Sequence, residues 1–441
     1  MKRLFVLILT LSLFAVPAFA QVDGTVSMTE SVKSAVKQHP QIKSLLSNRD
    51  AVGKNLDSAF GRFLPTLNLR SNVGLQNYDS SSTRAAGRGS DSTAASDSSL
   101  TLTQNIFDGM ERISGYDREK ARLESAEARL YDTVEAVALD AVRAHINVVR
   151  ERKLQELAAQ NIKDHQDVLD NIAERVAAGA GNKADELQAR GRSARAQTTF
   201  ITYTGDLETA EAEYFRVVGM KAEALAPAEF KFELAPVTVE DVLTPALDHN
   251  PKIIRNKADV VVAEENSDVV LARMYPDVDL ELSSRYTDDL DGSRTYLQDN
   301  RAMVGVSWNL FNGGQDYYDR KAADDRINEA QANLKDVTDD LTRQVKNAWT
   351  DYQTASREIV LHEEALAYSI ESRDMYLMQF SVGQRSLLDV LDAINEVFTN
   401  SIQLETAKSN QTFNLYKFFA LKGELIKTLD LAEVNKEMEM Q

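Results

Sequence analysis

The sequence predicts a mainly α-helical, internally duplicated chain. Its long helical hairpins carry four short β-strands that belong in a membrane β-barrel. Three observations predict this. Apolar residues at Ile327, Ala330, Leu334, Val337, Leu341, Val345, Ala348, Tyr352, Ala355 and Ile359 step by three and four, the rhythm of helices packed side by side. Five local patterns recur in the same order at offsets of 211 and then 204 residues. Four short runs alternate strictly between apolar and polar residues, the period of a strand.

At the start of the chain, Lys2 and Arg3 precede an uncharged run from Leu4 to Val16 and then Ala18-Phe19-Ala20. A basic start, an apolar stretch and a small-x-small site read as a cleaved secretory signal over residues 1–20. The run is too short to serve comfortably as a membrane anchor. Gln21, not cysteine, follows the site, which argues against a lipoprotein. The chain carries 50 basic and 68 acidic side chains, a net charge of −18, and so is a poor nucleic-acid binder. It contains no cysteine, hence no disulfide and no thiolate metal site, and its five histidines are scattered. No metal or cofactor is expected. No later stretch approaches the length of a transmembrane helix. No nucleophile–base set, phosphate loop or metal-ligand spacing stands out, so an enzyme is not expected.

The two copies follow. His39-Pro40-Gln41-Ile42 answers Asn250-Pro251-Lys252-Ile253, and Phe63-Leu64-Pro65 answers Met274-Tyr275-Pro276. Asn105-Ile106-Phe107-Asp108-Gly109 answers Asn309-Leu310-Phe311-Asn312-Gly313, Gly179 answers Gly383, and Gly219 answers Gly423. The change of offset places about seven extra residues in the first copy, between Pro65 and Asn105. A repeat of this length is a duplicated half rather than a solenoid unit. The expected division is 21–226 for the first repeat, 227–250 for a connector, 251–424 for the second repeat and 425–441 for a C-terminal tail. No proline interrupts 66–226 or 277–441, so both spans are free to be regular. In the connector, Phe230, Phe232 and Leu234 alternate and suggest a short strand.

Each copy then reads as short helix, strand pair, long helix, shorter helix. The helices are expected near 27–60, 110–178 and 184–219, and again near 241–273, 315–379 and 387–422. The long ones would be on the order of 100 Å. The strand hairpins are expected at about 66–107 and 277–311. Leu67, Leu69, Val73 and Leu75 alternate with polar neighbours, as do Leu100, Leu102 and Ile106, then Val278, Leu280, Leu282 and Tyr286, then Ala302, Val304, Val306, Trp308 and Leu310. These runs have the length of tilted membrane strands. Alternation alone fits a half-buried soluble sheet equally well. The polar stretches 78–98 and 287–300 favour the barrel, as slack loops outside the cell. Four strands leave open edges that hydrocarbon does not tolerate, so several copies must pool strands: two would give eight, three would give twelve and room for a channel.

The long heptad pattern breaks at Phe380-Ser381-Val382-Gly383-Gln384-Arg385-Ser386-Leu387-Leu388-Asp389-Val390-Leu391-Asp392. Gly383 is the only glycine between Gly314 and Gly423, so the chain is expected to turn there. Asp389 and Asp392 then share one face in the first turns of the returning helix, where carboxylates are favoured.

With these residues in view, nearly the whole chain resembles the TolC family of outer-membrane efflux and secretion channels. The turn motif is the specific part; the duplication, the leader, the strand pairs and Asn-Leu-Phe-Asn-Gly add to it. The resemblance implies a homotrimer with a twelve-stranded barrel in outer-membrane lipid and a large periplasmic tunnel. It implies that the turns at Gly179, Val382, Gly383 and Ser386 are tips where a periplasmic adaptor of an inner-membrane ABC or RND-type pump docks. It implies an acidic ring of Asp389 and Asp392 at the periplasmic entrance, and a lock in which Arg385 meets Asp185. Phe380 stands where the family has a tyrosine, which removes one closing hydrogen bond. Under this likeness the chain is a passive exit duct. Type I protein secretion leads, because Gln21 replaces the lipid-anchor cysteine of many drug-efflux members; small-molecule efflux is the alternative. A soluble periplasmic coiled-coil scaffold is the remote alternative.

Overall fold

The computed structural model describes residues 25–89, 91–228, 230 and 232–431. The expected leader at 1–20 and most of the expected tail lie outside these residues. Proline and asparagine punctuate the helices. Helix α1 (Met28–Gln38) opens on a capping box between Ser27 and Glu30, and α2 (Pro40–Gly61) restarts at once with Pro40 in its first turn. The expected single helix over 27–60 is therefore two. The same break at Asn250-Pro251 divides the expected 241–273 helix into α6 (Glu240–His249) and α7 (Pro251–Ala272). The long helices are α4 (Glu111–Ala177) and α8 (Gln315–Ser381), of 67 residues each, or about 100 Å. Helices α5 (Lys183–Val218) and α9 (Leu387–Lys422) return along them as antiparallel hairpins. Helix α2 packs on the other half of α4, and α7 lies against both α4 and α8.

One sheet joins the repeats. Strands β1 (Thr66–Asn77), β2 (Ser92–Asp108), β3 (Asp277–Asp288) and β4 (Tyr296–Ser307) pair antiparallel in sequence order, so β2 and β3 form the seam between copies. Register aligns the faces. Leu67 opposes Leu102, which opposes Leu282, which opposes Ala302. Arg70 opposes Ser99, which opposes Arg285, which opposes Asp299. One face is thus an apolar row and the other a polar one. Strand β2 begins at Ser92, well before the expected Leu100, and β4 ends at Ser307 rather than near Leu310. The loops between strands shrink to 78–91 and 289–295, a difference of seven residues that accounts for the change of repeat offset. The expectation of slack loops is corrected: α3 (Ser81–Ala85) has its own capping box, and the two loops are bonded to each other. Among its described residues the connector forms a 3-10 turn over Phe232–Leu234, not the expected strand; just before it, Leu225 makes an isolated bridge to Val26. Pro227 and Pro236 remove the donors a longer ladder needs.

The core lies in three clusters along the bundle. The largest packs α1, α4, α5 and α9 with the short C-terminal α10 (Leu425–Thr428). There a buried chain of hydrogen bonds pins four segments. His145 on α4 lies 2.8 Å from Ala226 O and 2.9 Å from Ser31 Oγ, and Ser31 lies 2.8 Å from the Tyr214 hydroxyl. A carbonyl only accepts, so neutral His145 donates from Nε2 to Ala226 and accepts at Nδ1 from Ser31. A second cluster joins α6, α8 and α9. The third sits at the far ends of the two hairpins and builds the site described next.

Candidate functional site

The two hairpin tips use the same chemistry 204 residues apart. Helix α4 ends in a turn with Gly179 at φ +75°, and α8 in one with Gly383 at φ +76°. In each, the amide after the glycine donates back six residues' span to the helix: Ala180 to Arg175 O at 2.9 Å, Gln384 to Gln379 O at 2.9 Å. Each returning helix is then capped. Asn182 accepts from the Ala184 amide at 3.0 Å, and Ser386 from the Asp389 amide at 3.2 Å. Asp185 and Asp389 occupy the same place in their helices, in the first turn at the positive end.

Apolar packing joins the tips. Val168 and Ile172 of α4 and Ala189 of α5 bury against Leu387, Val390, Leu391 and Ile394 of α9, with Tyr376 and Phe380 at the margin. This core fixes where the polar groups stand. Arg385 lies with its guanidinium 3.9 Å from the centre of the Tyr376 ring. Its Nε is buried and 3.2 Å from Asp389 Oδ2, close enough for an ion pair but without the alignment of a hydrogen bond. Within one chain the structure does not bring Arg385 to Asp185, and among the described residues Asp185 forms no ion pair. The two acidic residues expected at the entrance are both held by arginine. Asp389 has Arg385, and Asp392 accepts from Arg192 of α5 at 2.7 Å.

Phe380 keeps a partner despite lacking the hydroxyl. Arg175 of α4 lies 5.1 Å from the ring centre and donates to Ser381 O at 3.4 Å. Arg175 and Arg192 therefore tie the first hairpin to the second. Neither was foreseen. Both sit on helix faces far in sequence from the turn they contact, and no local pattern marks them. Near Arg192, His165 Nδ1 is buried on α4, as is Asn161 Oδ1 one turn away, and among the described residues neither has a hydrogen-bond partner. Burial, then the Arg192 charge, holds His165 below the usual imidazole value. The site is a set of weak, charged fasteners over a small apolar core. It can hold, yield and present carboxylates. Among the described residues no cluster of metal-ligating side chains accompanies it.

A sequence model of the family described as "Outer membrane efflux protein" matches residues 32–219 and 242–423, one match on each repeat. The outer membrane efflux protein BepC of Brucella suis is 24% identical over 329 residues, covering 74% of this chain and 72% of its own length. The outer membrane protein TolC of Escherichia coli is 23% identical, covering 96% of this chain and 87% of its own. In structure, the Campylobacter jejuni CmeC outer membrane channel superposes with a TM-score of 0.78 at 13% identity, over 96% of this chain and 94% of that one.

Proposed function

The chain belongs to the outer membrane efflux protein family, and on that premise we propose that three copies assemble into one exit duct through the outer membrane and periplasm. The protein is an outer-membrane protein. The observation that carries the trimer is the bare sheet. Leu69 is 75% exposed, Val73 79% and Leu75 84%, and β1 and β4 are both open edges. In hydrocarbon each unpaired backbone group costs several kcal/mol. Pairing β4 of one copy with β1 of the next removes the edges and sets the apolar face on lipid. Twelve strands leave a channel lined by the polar face, whereas eight would be filled by side chains.

On this reading the tips at Gly179, Val382, Gly383 and Ser386 are the periplasmic end, where an adaptor protein joins the duct to an inner-membrane ABC or RND-type pump. Asp389 and Asp392 ring the entrance. Arg385 meets the neighbouring copy's Asp185, a contact between protomers rather than within one, and Phe380 leans on Arg175. The duct is passive and does no chemistry. Type I protein secretion is the leading cargo, supported by Gln21 at the position of a lipid-anchor cysteine. Small-molecule efflux is the second reading, favoured by the family's own description.

Native mass spectrometry of detergent-extracted protein tests the assembly. A trimer is expected, and a stable monomer or dimer with an intact barrel overturns it. Deleting the gene separates the cargoes. Loss of a secreted protein with unchanged drug susceptibility supports secretion; the reverse supports efflux.

A further inference from the structure

We propose that the two outer loops form a latched constriction folded over the barrel's inner face, with Gln76, Asp91, Asp291 and Arg294 as the positioning residues that set the exit aperture. The proposal rests on the barrel reading above.

The loop 289–295 follows β3, which is separated from β1 by β2. Yet Gln76, near the end of β1, exchanges two hydrogen bonds with Asp291. Gln76 Nε2 donates to Asp291 Oδ1 at 3.0 Å, and the Asp291 amide donates to Gln76 Oε1 at 2.8 Å. The loop therefore leans across β2. It leans to one side. Gln76 shares the polar face with Arg70 and Asn72, and on that face Ala95 and Thr287 are buried, at 6% and 7% exposure. At the same height on the apolar face, Leu75, Tyr286 and Tyr296 stay open, the two tyrosines stacked with ring centres 6.1 Å apart. A slack loop would cover neither face.

The other loop locks onto this one. Arg294 meets Asp91 at 2.6 Å, and Thr93 Oγ1 donates to Asp289 O at 3.3 Å. Gly292, at φ +75°, lies flat against Thr83 and Tyr78, so close that a Cβ there would come within 2.5 Å of the Thr83 methyl. Asp289 and Asp291 adopt φ of +50° and +53°, a left-handed backbone uncommon for non-glycine residues, though aspartate takes it more readily than most. The bonds are polar and solvent-facing, hence individually weak. Together they hold one arrangement and leave it openable. Three such latches, one per copy, would converge on the axis of the outer mouth.

The chain has no cysteine, so single cysteines report cleanly. Asn72→Cys lies on the polar face below the latch, and Val73→Cys on the apolar face beside it. Intact cells are treated from outside with maleimides carrying polyethylene glycol of increasing size. The large reagent should label Asn72→Cys slowly in the parent background. Asp91→Arg should speed it about two- to fivefold, the order expected when an exposed ion pair holding one of two states is lost. Adding Arg294→Asp to Asp91→Arg should return the rate to the parent value. Gln76→Leu, which introduces no charge, should speed labelling in the same way and serves if the charge reversal assembles poorly. Equal rates in the parent, Asp91→Arg and Gln76→Leu, with assembly intact on gels, overturn the constriction. If the smallest reagent, which passes the constriction, labels Val73→Cys as fast as Asn72→Cys, the barrel reading itself fails instead.

Discussion

Glu135 is a carboxylate 8% exposed in the middle of α4, and it caps the start of α10 by accepting from the amides of Leu425 at 3.0 Å and Ile426 at 3.3 Å. Burial pushes its pKa up to about 7, against the pull of those two amides; Glu424 and Asp132 add to the rise. The folded value thus lies above the unfolded one. Stability from this group is full below about pH 4.5 and is lost as pH rises through 7, by roughly 3 kcal/mol at most. His145, ten residues on, acts in the opposite direction. Burial lowers its pKa, so its contribution is present above the ordinary imidazole value and is lost as pH falls. Glu135→Gln removes only the first effect. The melting temperature of this variant, followed by circular dichroism in detergent, should no longer fall between pH 5 and 8, while the acid-side loss remains. A parent-like fall between pH 5 and 8 would show that Glu135 is not its source.

The helical elements differ in how they end, and substitution should expose the difference. At Gly383 nothing lies within 4 Å of an added Cβ, so Gly383→Ala costs only the left-handed backbone, about 1–2 kcal/mol. Together with Ser386→Ala, which removes the α9 cap at about 1 kcal/mol, it should speed hydrogen exchange at 383–391 without moving the global melt. At Gly423 a Cβ would meet Pro251 at 2.8 Å and His249 O at 3.1 Å, so Gly423→Ala should lower the melting temperature of the whole protein. Equal global effects would mean that the tip and the junction of α6, α7 and α9 unfold together. Glycine and cap residues also made α5 and α9 legible in the sequence to within a residue or so. Pro40 and Pro251 were equally visible, but each begins a new helix where one continuous helix was expected, because proline is tolerated in a first turn. The start of β2 was hidden. Ser92 to Ser99 has no apolar alternation and is a strand because β1 and β3 supply its hydrogen bonds. At the tips, the turns and the two aspartates could be read from local spacing. The ties from Arg175 and Arg192 could not, since they depend on how two hairpins about 200 residues apart dock.

In the proposed duct, three copies would bring six carboxylates from Asp389 and Asp392 to one entrance, but within each chain both carboxylates have an arginine beside them. A paired charge presents a dipole to an approaching ion, and the field beyond the pair falls within about one Debye length, roughly 8 Å at physiological salt. The resting entrance should therefore attract cations less than bare carboxylates would. Asp392 is 57% exposed and Arg192 25%, so the pair itself is worth about 1 kcal/mol or less, and Arg192 is held chiefly by its packing. Arg192→Met keeps much of that packing and removes the charge. It should free three carboxylates, strengthen block by divalent cations added from the periplasmic side of a planar bilayer, and raise conductance by loosening one hairpin from the other. Asp392→Ala should do the reverse for block while loosening the same contact, so conductance and block part company between the two variants. Replacing Asp389 and Asp392 together should remove most of the block. If block is the same in Arg192→Met, Asp392→Ala and the parent, these residues do not line the entrance, and the ring of charge must be sought elsewhere along the tunnel.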